Sequence, residues 1–293
     1  MVTADSETVI LDYRSRGNEP SEKAMLVVEV KGFKIPIVGL GTWALRDVVR
    51  VVSEAIRVGY RHIDTAQMYG NEAEVGEAVR ASGLRSEIMV ATKLQPTNLT
   101  PRDVERTGKE SLRKLRLDAI DLLLIHWPNP GVPLVDTLGA MAKLKREGVI
   151  RAIGVSNFTV ALIEEAVRVS PEPIVCNQVE CHPFLNQDKV RSACRKNDMA
   201  VVAYSPVARG GASGNKVLER IGKVHGKTAV QVSLRYLVQQ GIVVIPRTNK
   251  LPRLAENLAL FDFELTDAEM LEIHALSGRD GRIVDWSWSP NWD

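Results

Sequence analysis

A chain of 293 residues that is 45% hydrophobic and 25% charged has the make-up of an ordinary globular protein with a sizeable core, and it suits one large domain or two small ones. Its 38 basic and 36 acidic residues leave a net charge of +2, and neither sign gathers into a long block, so nucleic acid and membrane partners have no electrostatic support. Cys176, Cys181 and Cys194 are odd in number and lack CxxC spacing, which argues against a disulfide framework and for a reducing compartment.

Residues 1–24 are mostly polar, and their only apolar cluster, Val9 to Leu11, is too short for a signal-peptide core. Asp5, Glu7, Asp12, Glu19 and Glu22 speak against a transit sequence. The segment reads as a loosely ordered extension ahead of a single domain at 25–293. With no targeting or membrane segment, the expected location is the cytoplasm.

From Met25 the pattern becomes regular. MLVVEV, Lys31-Gly32 and FKIPIV predict a β-hairpin. Residues 37–40 lead into GTW, and 46–58 carry apolar residues at helical spacing up to Gly59. A strand at 61–63 follows, then a helix to about Ser82 that Asn71 is expected to cap with Glu74 three positions on. Strand 88–92 precedes a helix opened by Thr100-Pro101 and running to Leu115, and 120–125 is the next strand.

The alternation continues with helix 133–147, strand 149–155, helix 159–169, strand 174–179, helix 187–196 and strand 200–203. Two helical stretches, 216–224 and 228–239, come before strand 242–245, and helices at 251–258 and from Thr266 close the chain. Eight strands alternating with helices over roughly 250 residues fit an α/β protein of the (β/α)8 TIM barrel class, with an N-terminal hairpin and a short C-terminal tail over the mouth.

A doubly wound sheet would alternate in the same way, and the placing of polar residues decides between them. Asp64, Lys93, His126, Asn157, Gln178, Tyr204 and Arg247 each stand at or near the C-terminal end of a different strand. In a barrel those ends meet at one mouth, whereas an open sheet strings them along an edge. The dinucleotide fingerprint GxGxxG is also incomplete, with Ala44 where Gly39 and Gly41 would need a third glycine.

One group of these residues carries chemistry. In RHIDTAQMYGNE, Asp64 follows the apolar Ile63 at a strand mouth and Tyr69 comes five residues later. A tyrosine hydroxyl, with an ordinary pKa near ~10, is a poor acid unless a cation steadies its phenolate. Lys93 ends the strand IMVATKL, and His126 ends IDLLLIHWP. Cys181-His182 has no second ligand pair at zinc spacing, so a metal is not expected.

With GLGTW, GYRHIDTAQMYGNE, ATK, DLLLIHWP, GVSNF, NQVECHP, AYSP and VIPRTNK in order, the chain resembles the aldo-keto reductases over nearly all of residues 25–293. It is most similar to the bacterial branch that includes diketogluconate reductases. The resemblance implies NADPH-dependent reduction of aldehydes and ketones in a barrel with no Rossmann domain, and the chain is expected to be a monomer. It matches Asp64, Tyr69, Lys93 and His126 to the family's catalytic tetrad: Tyr69 as acid, Lys93 lowering its pKa toward working pH, Asp64 holding Lys93, and His126 donating to the carbonyl oxygen.

For NADPH the resemblance supports Ser156, Asn157 and Gln178 at the nicotinamide carboxamide and Tyr204 stacked on its ring, with Thr42 and Ser205 beside them. Arg247, Thr248 and Arg253 near a helix start suit a phosphate monoester, and Asn257 would face the adenine. The family more often has lysine where Arg247 stands, which keeps the charge and changes the geometry. The glycine-rich ARGGASGN, 208–215, reads as a lid over the cofactor.

Trp43, Trp127, Trp286 and Trp288, together with His126, are the candidate substrate contacts. Gln95-Pro96 stands where relatives often carry tryptophan, predicting a wider or more polar pocket there. The expected substrates are small dicarbonyls, aldoses or keto-sugar acids. Two other readings remain open at this point: a non-catalytic NADPH-binding regulatory barrel, and a lyase forming a Schiff base on Lys93.

Overall fold

In the computed structural model, which describes residues 10–13, 25–278 and 281–293, the chain opens with an antiparallel sheet of β1 (Ile10–Tyr13), β2 (Met25–Val30) and β3 (Phe33–Pro36). β2 and β3 are the expected hairpin. Its turn holds Lys31 at φ 50° and Gly32 at φ 77°, the left-handed pair that a two-residue turn uses to follow the strands' twist. β1 pairs with β2, Ile10 opposite Val28, an addition the sequence pattern did not signal. Residues 1–9 and 14–24 of the expected extension lie outside the described residues.

Eight parallel strands follow, each bonded to the next in chain order: β4 (Leu40–Gly41), β5 (His62–Asp64), β6 (Met89–Leu94), β7 (Ile120–Ile125), β8 (Ile150–Ser156), β9 (Ile174–Glu180), β10 (Ala200–Tyr204) and β11 (Val243–Val244). The first closes on the last. Gly39 N donates to Val244 O at 2.8 Å, Val244 N to Ile37 O at 2.9 Å, and Gly41 N to Pro246 O at 3.2 Å. The sheet is therefore a closed barrel.

That seam explains the glycines of GLGTW. A Cβ on Gly39 would stand 2.6 Å from the His62 ring, and one on Gly41 would stand 2.8 Å from Ile245 O. Both positions need a bare backbone to let the end strands meet. Every residue of β6, β7 and β9 is buried, as parallel strands covered on both faces require.

Around the barrel run α1 (Val48–Val58), α2 (Glu72–Ala81), α3 (Pro101–Leu115), α4 (Leu134–Arg146), α5 (Val160–Val169), α6 (Asp188–Lys196), α7 (Lys216–His225), α8 (Ala229–Val238), α9 (Pro252–Leu258) and α10 (Asp267–His274). α7 and α10 stand outside the strand–helix alternation and lean on each other through His225 Nε2 and Glu269 Oε1 at 2.9 Å and an Arg220–Glu272 ion pair. Among the described residues no helix is long and apolar enough to cross a membrane.

The helix starts were partly readable. Thr100 Oγ1 accepts from Asp103 N with Pro101 in the first turn, and Thr266 with Glu269 forms the full reciprocal cap. Asn71 corrects the expectation: it stands at the N-cap of α2, but its side chain makes no capping bond. Its amide donates to Thr42 O at 3.0 Å and accepts from Thr65 Oγ1 at 2.6 Å, because two buried groups on neighbouring strand ends compete for it.

The two ends of the barrel are finished differently. At the lower end, Lys31 Nζ donates to Ile174 O at 3.0 Å and Asn197 O at 2.9 Å, fastening the hairpin where β9 and β10 begin. At the upper end, the tail after residue 281 crosses the mouth. Glu180 Oε1 accepts from Ile283 N at 2.7 Å and Oε2 from Val284 N at 2.8 Å.

Candidate active site

Asp64 ends β5 and is paired in parallel register with Ala91 of β6, and Lys93, two residues further on, projects to the same face. Both are enclosed, with 1% and 0% exposure. Lys93 Nζ donates to Asp64 Oδ1 at 2.5 Å and to Thr65 O at 2.8 Å. Gln178 Nε2, from β9, donates to Asp64 Oδ2 at 2.8 Å. A buried carboxylate needs such partners on both oxygens.

Tyr69 arrives on a single 3-10 turn, Gln67–Tyr69, directly after β5. Gln67 holds that turn still: its amide donates to Thr107 O at 3.2 Å and Ser111 Oγ at 3.1 Å and accepts from Gln95 N and Asn98 Nδ2 at 3.1 Å. The Tyr69 ring lies 5.1 Å from Lys93 Nζ and meets His126 edge to face, centroids 5.6 Å apart. The four side chains expected at the strand ends share one place.

The electrostatics differ from expectation in one respect. Lys93 was expected to draw the Tyr69 phenol down, yet burial, with a further push from Asp64, holds it well above its ordinary value. The Lys93 amine donates to Asp64 and Thr65 and lies 5.1 Å from the phenol ring. Burial lowers Lys93 itself, and Asp64 opposes this. His126 is held well below the usual histidine range by burial and then by Lys93, so its ring is neutral at neutral pH. Its Nδ1 is buried without a hydrogen-bond partner among the described residues.

A continuous cleft of 1360 Å³ runs from these residues along the barrel mouth. Asn157, Gln178, Tyr204 and Ser205 line it, as do Arg247, Thr248, Arg253 and Asn257. Thr42 and Ser156 do not line it; they lie fully buried behind, Thr42 Oγ1 donating to Asp64 O at 2.9 Å and Ser156 Oγ to Gln178 O at 2.7 Å. Asn157 is engaged at both ends of its amide, giving to His126 O at 2.9 Å and taking the Tyr204 hydroxyl at 2.8 Å. The arrangement offers amides, a flat phenol and the guanidinium groups of Arg209, Arg247 and Arg253 in one groove, a donor set that fits a phosphorylated dinucleotide.

The backbone along this rim is contorted. Asn157, Ser205, Ala208 and Arg209 have φ of 63°, 50°, 49° and 52°, a region that side chains rarely adopt. The loop at 208–215 lines the cleft through Arg209, Gly210, Ser213 and Gly214. It ends where Asn215 accepts from Val217 N and Leu218 N to start α7. Arg209 and Arg247 both lie over the Trp43 ring, at 5.2 and 5.7 Å.

All four candidate tryptophans line the cleft, with Trp43, Trp286 and Trp288 exposed by 47%, 52% and 46%. Trp127 is buried and takes Trp288 edge-on at 5.0 Å, while Trp286 stacks on Trp288 with planes 7° apart. Gln95 and Pro96 do not line the cleft, and Gln95 N donates to Gln67 Oε1 at 3.1 Å. Sequence reasoning missed Met68, Lys223, Lys227 and Glu256, which also face the cleft. The two lysines look in sequence like ordinary dipole-matching charges at a helix end.

Residues 37–277 match the profile described as the Aldo/keto reductase family. A protein of Salmonella typhi named methylglyoxal reductase DkgB is 39% identical over 265 residues, spanning 88% of this chain and 99% of that one. One of Bacillus subtilis (strain 168) named glyoxal reductase is 39% identical over 256 residues, spanning 86% and 92%. A crystal structure of a protein provisionally named 2,5-diketo-D-gluconic acid reductase B superposes with a TM-score of 0.90 at 44% identity, covering 92% of this chain and 98% of that one.

Proposed function

The chain belongs to the aldo/keto reductase family, and from that premise we propose that it is an NADPH-dependent reductase of aldehydes and ketones with Tyr69 as the proton donor. The observation that carries the reading is the meeting of the Tyr69 ring, Lys93 Nζ and the His126 ring beside a cleft that Arg247 and Arg253 also line. When bound, the nicotinamide supplies a hydride to the carbonyl carbon. The charge that then builds on the carbonyl oxygen is met by the chain's own groups.

His126, neutral and at the cleft wall, orients that oxygen by hydrogen bonding. Tyr69 is a protonated phenol across the working range, so it hands its proton to the oxygen as the alcohol forms. Lys93 steadies the phenolate left behind, and Asp64 keeps Lys93 in place. Asn157, Gln178, Tyr204 and Ser205 would hold the nicotinamide end, and Arg247, Thr248, Arg253 and Asn257 the phosphate and adenine end. Thr42 and Ser156 support them from behind.

The tryptophans wall the substrate end, which favours compact carbonyls with some apolar surface, small dicarbonyls among them. We also take the protein to work as a monomer in the cytoplasm. A Schiff base on Lys93 is disfavoured, since its ammonium is enclosed and committed to Asp64 and Thr65. A non-catalytic role leaves the gathered tetrad without a purpose. The test is a carbonyl panel followed by loss of NADPH absorbance, with Tyr69→Phe alongside. Turnover of glyoxals that Tyr69→Phe abolishes supports the assignment, and an undiminished variant removes the acid.

A further inference from the structure

The two oxygens of the Asp64 carboxylate have different partners: Lys93 Nζ on Oδ1 at 2.5 Å and Gln178 Nε2 on Oδ2 at 2.8 Å. The orientation of the Gln178 amide follows from chemistry, since its oxygen turned this way would face another acceptor. Gln178 reaches Asp64 across 114 residues of chain. Its own backbone is held by Ser156 Oγ and Asn157 N, which both donate to Gln178 O, at 2.7 and 2.9 Å. The residue lines the cleft, and its side-chain oxygen takes no donor from the described residues.

Resting on the reductase reading above, we propose that Gln178 is a positioning residue that acts on Tyr69 through Asp64, one end of its amide sharing the carboxylate charge and the other answering to what fills the cleft. Hydrogen-bonded amides polarise one another in series. A donor that reaches the side-chain oxygen of Gln178 strengthens its N–H bond to Asp64. A carboxylate whose charge is better shared weighs less on the nearby phenol, so the Tyr69 proton is released more readily when the cleft is occupied. The acid is thereby sharpened only with the reducing partner in place. Among the described residues, Lys93, His126, Asp64 and Tyr204 are the charged and titratable groups that face the phenol in this arrangement.

A double-mutant cycle tests the link without any turnover. Gln178→Met keeps the volume and removes the donor, leaving Oδ2 of an enclosed carboxylate unsatisfied. Its loss of stability, read by urea unfolding of the protein alone, is expected to shrink by at least about half in an Asp64→Asn background, where no charge remains to be satisfied. Additive losses overturn the inference. Should Gln178→Met fail to fold, Gln178→Asn, which draws the amide back from Oδ2, takes its place in the same cycle.

In the loaded enzyme, kcat of the Gln178 variant at saturating NADPH is expected to fall about tenfold, with the alkaline limb of its pH profile moved upward by about half a unit to one unit. Quenching of tryptophan fluorescence measures NADPH affinity separately. A weaker affinity with kcat and the limb unmoved reduces Gln178 to a cofactor contact and overturns the proposal. A wild-type chain that consumes no NADPH with any carbonyl overturns the reductase reading and this inference together, whereas an active reductase with an additive cycle overturns this inference alone.

Discussion

Glu180 Oε2 accepts a hydrogen bond from the backbone N–H of Val284 at 2.8 Å, across 104 residues of chain. The same carboxylate takes Ile283 N and His182 Nε2, so one enclosed charge at the end of β9 fixes the tail that brings Trp286 and Trp288 over the cleft. Glu180→Gln keeps the size, removes the charge and sets an N–H against at least one of these donors. It is expected to cost about 2–4 kcal/mol in urea unfolding. It should also raise KM for a bulky aryl aldehyde several-fold more than KM for glyoxal, and an equal change for both would show that the tail is not what the carboxylate positions.

Burial pushes the Glu180 carboxyl up, but His182 and the two tail amides together hold it below the ordinary value. A carboxyl depressed in the folded state stabilises fully above its unfolded pKa, near ~4.3. That contribution is lost as pH falls toward the lower folded value. The wild type should therefore lose more stability than Glu180→Gln does as pH falls below about 4, and parallel curves there would contradict the linkage.

The raised phenol of Tyr69 sets different pH courses for the two directions of the reaction. Carbonyl reduction needs the protonated phenol, so its kcat should stay level through neutral pH and fall only in strong alkali. Alcohol oxidation needs the phenolate, and its kcat should climb with pH over the same range. Tyr69→Phe should lower both by about 10²- to 10⁴-fold while leaving NADPH affinity near wild type. A reduction profile with an acid-side decline belonging to Tyr69 would contradict the assignment.

Lys93 and Asp64 are a buried pair whose members cannot be removed singly without penalty. Lys93→Met leaves an uncompensated carboxylate and is expected to destabilise by about 3–5 kcal/mol. Adding Asp64→Asn should restore most of the stability and none of the activity. Activity recovered together with stability would mean that the pair serves only the core.

Arg253 lines the cleft, and Arg253→Ala should raise the KM for NADPH by about 10- to 100-fold and leave that for NADH nearly unchanged, the weight of one charge-assisted phosphate contact. Equal losses with both cofactors would place the arginine elsewhere on the ligand.

At the barrel seam, Gly41→Ala puts a methyl against Ile245 O at 2.8 Å. An unfolding loss of about 1–3 kcal/mol is expected, and an unchanged midpoint would show that the seam yields.

How much of this was legible beforehand divides along a physical line. Local rules read well: the apolar run Ile120–Ile125, the Thr100-Pro101 helix start and the Thr266 cap all appear where spacing put them. The strand-end placement of Asp64, Lys93 and His126 was also readable, because a closed barrel turns separate strand ends into neighbours. Contacts between distant segments were not. Nothing near Gln178 announces Asp64, and nothing near Glu180 announces Val284, since each bond is chosen only after the fold brings many acceptors within reach. Asn71 failed for the related reason that buried neighbours outbid its own helix.

The fastening of the Lys31 turn to Ile174 O and Asn197 O lies at the opposite pole of the cylinder from every residue invoked for chemistry. That pole is an anchorage rather than a workplace. A tether, a surface graft or an immobilising support attached there leaves the entrance clear and the working rim untouched.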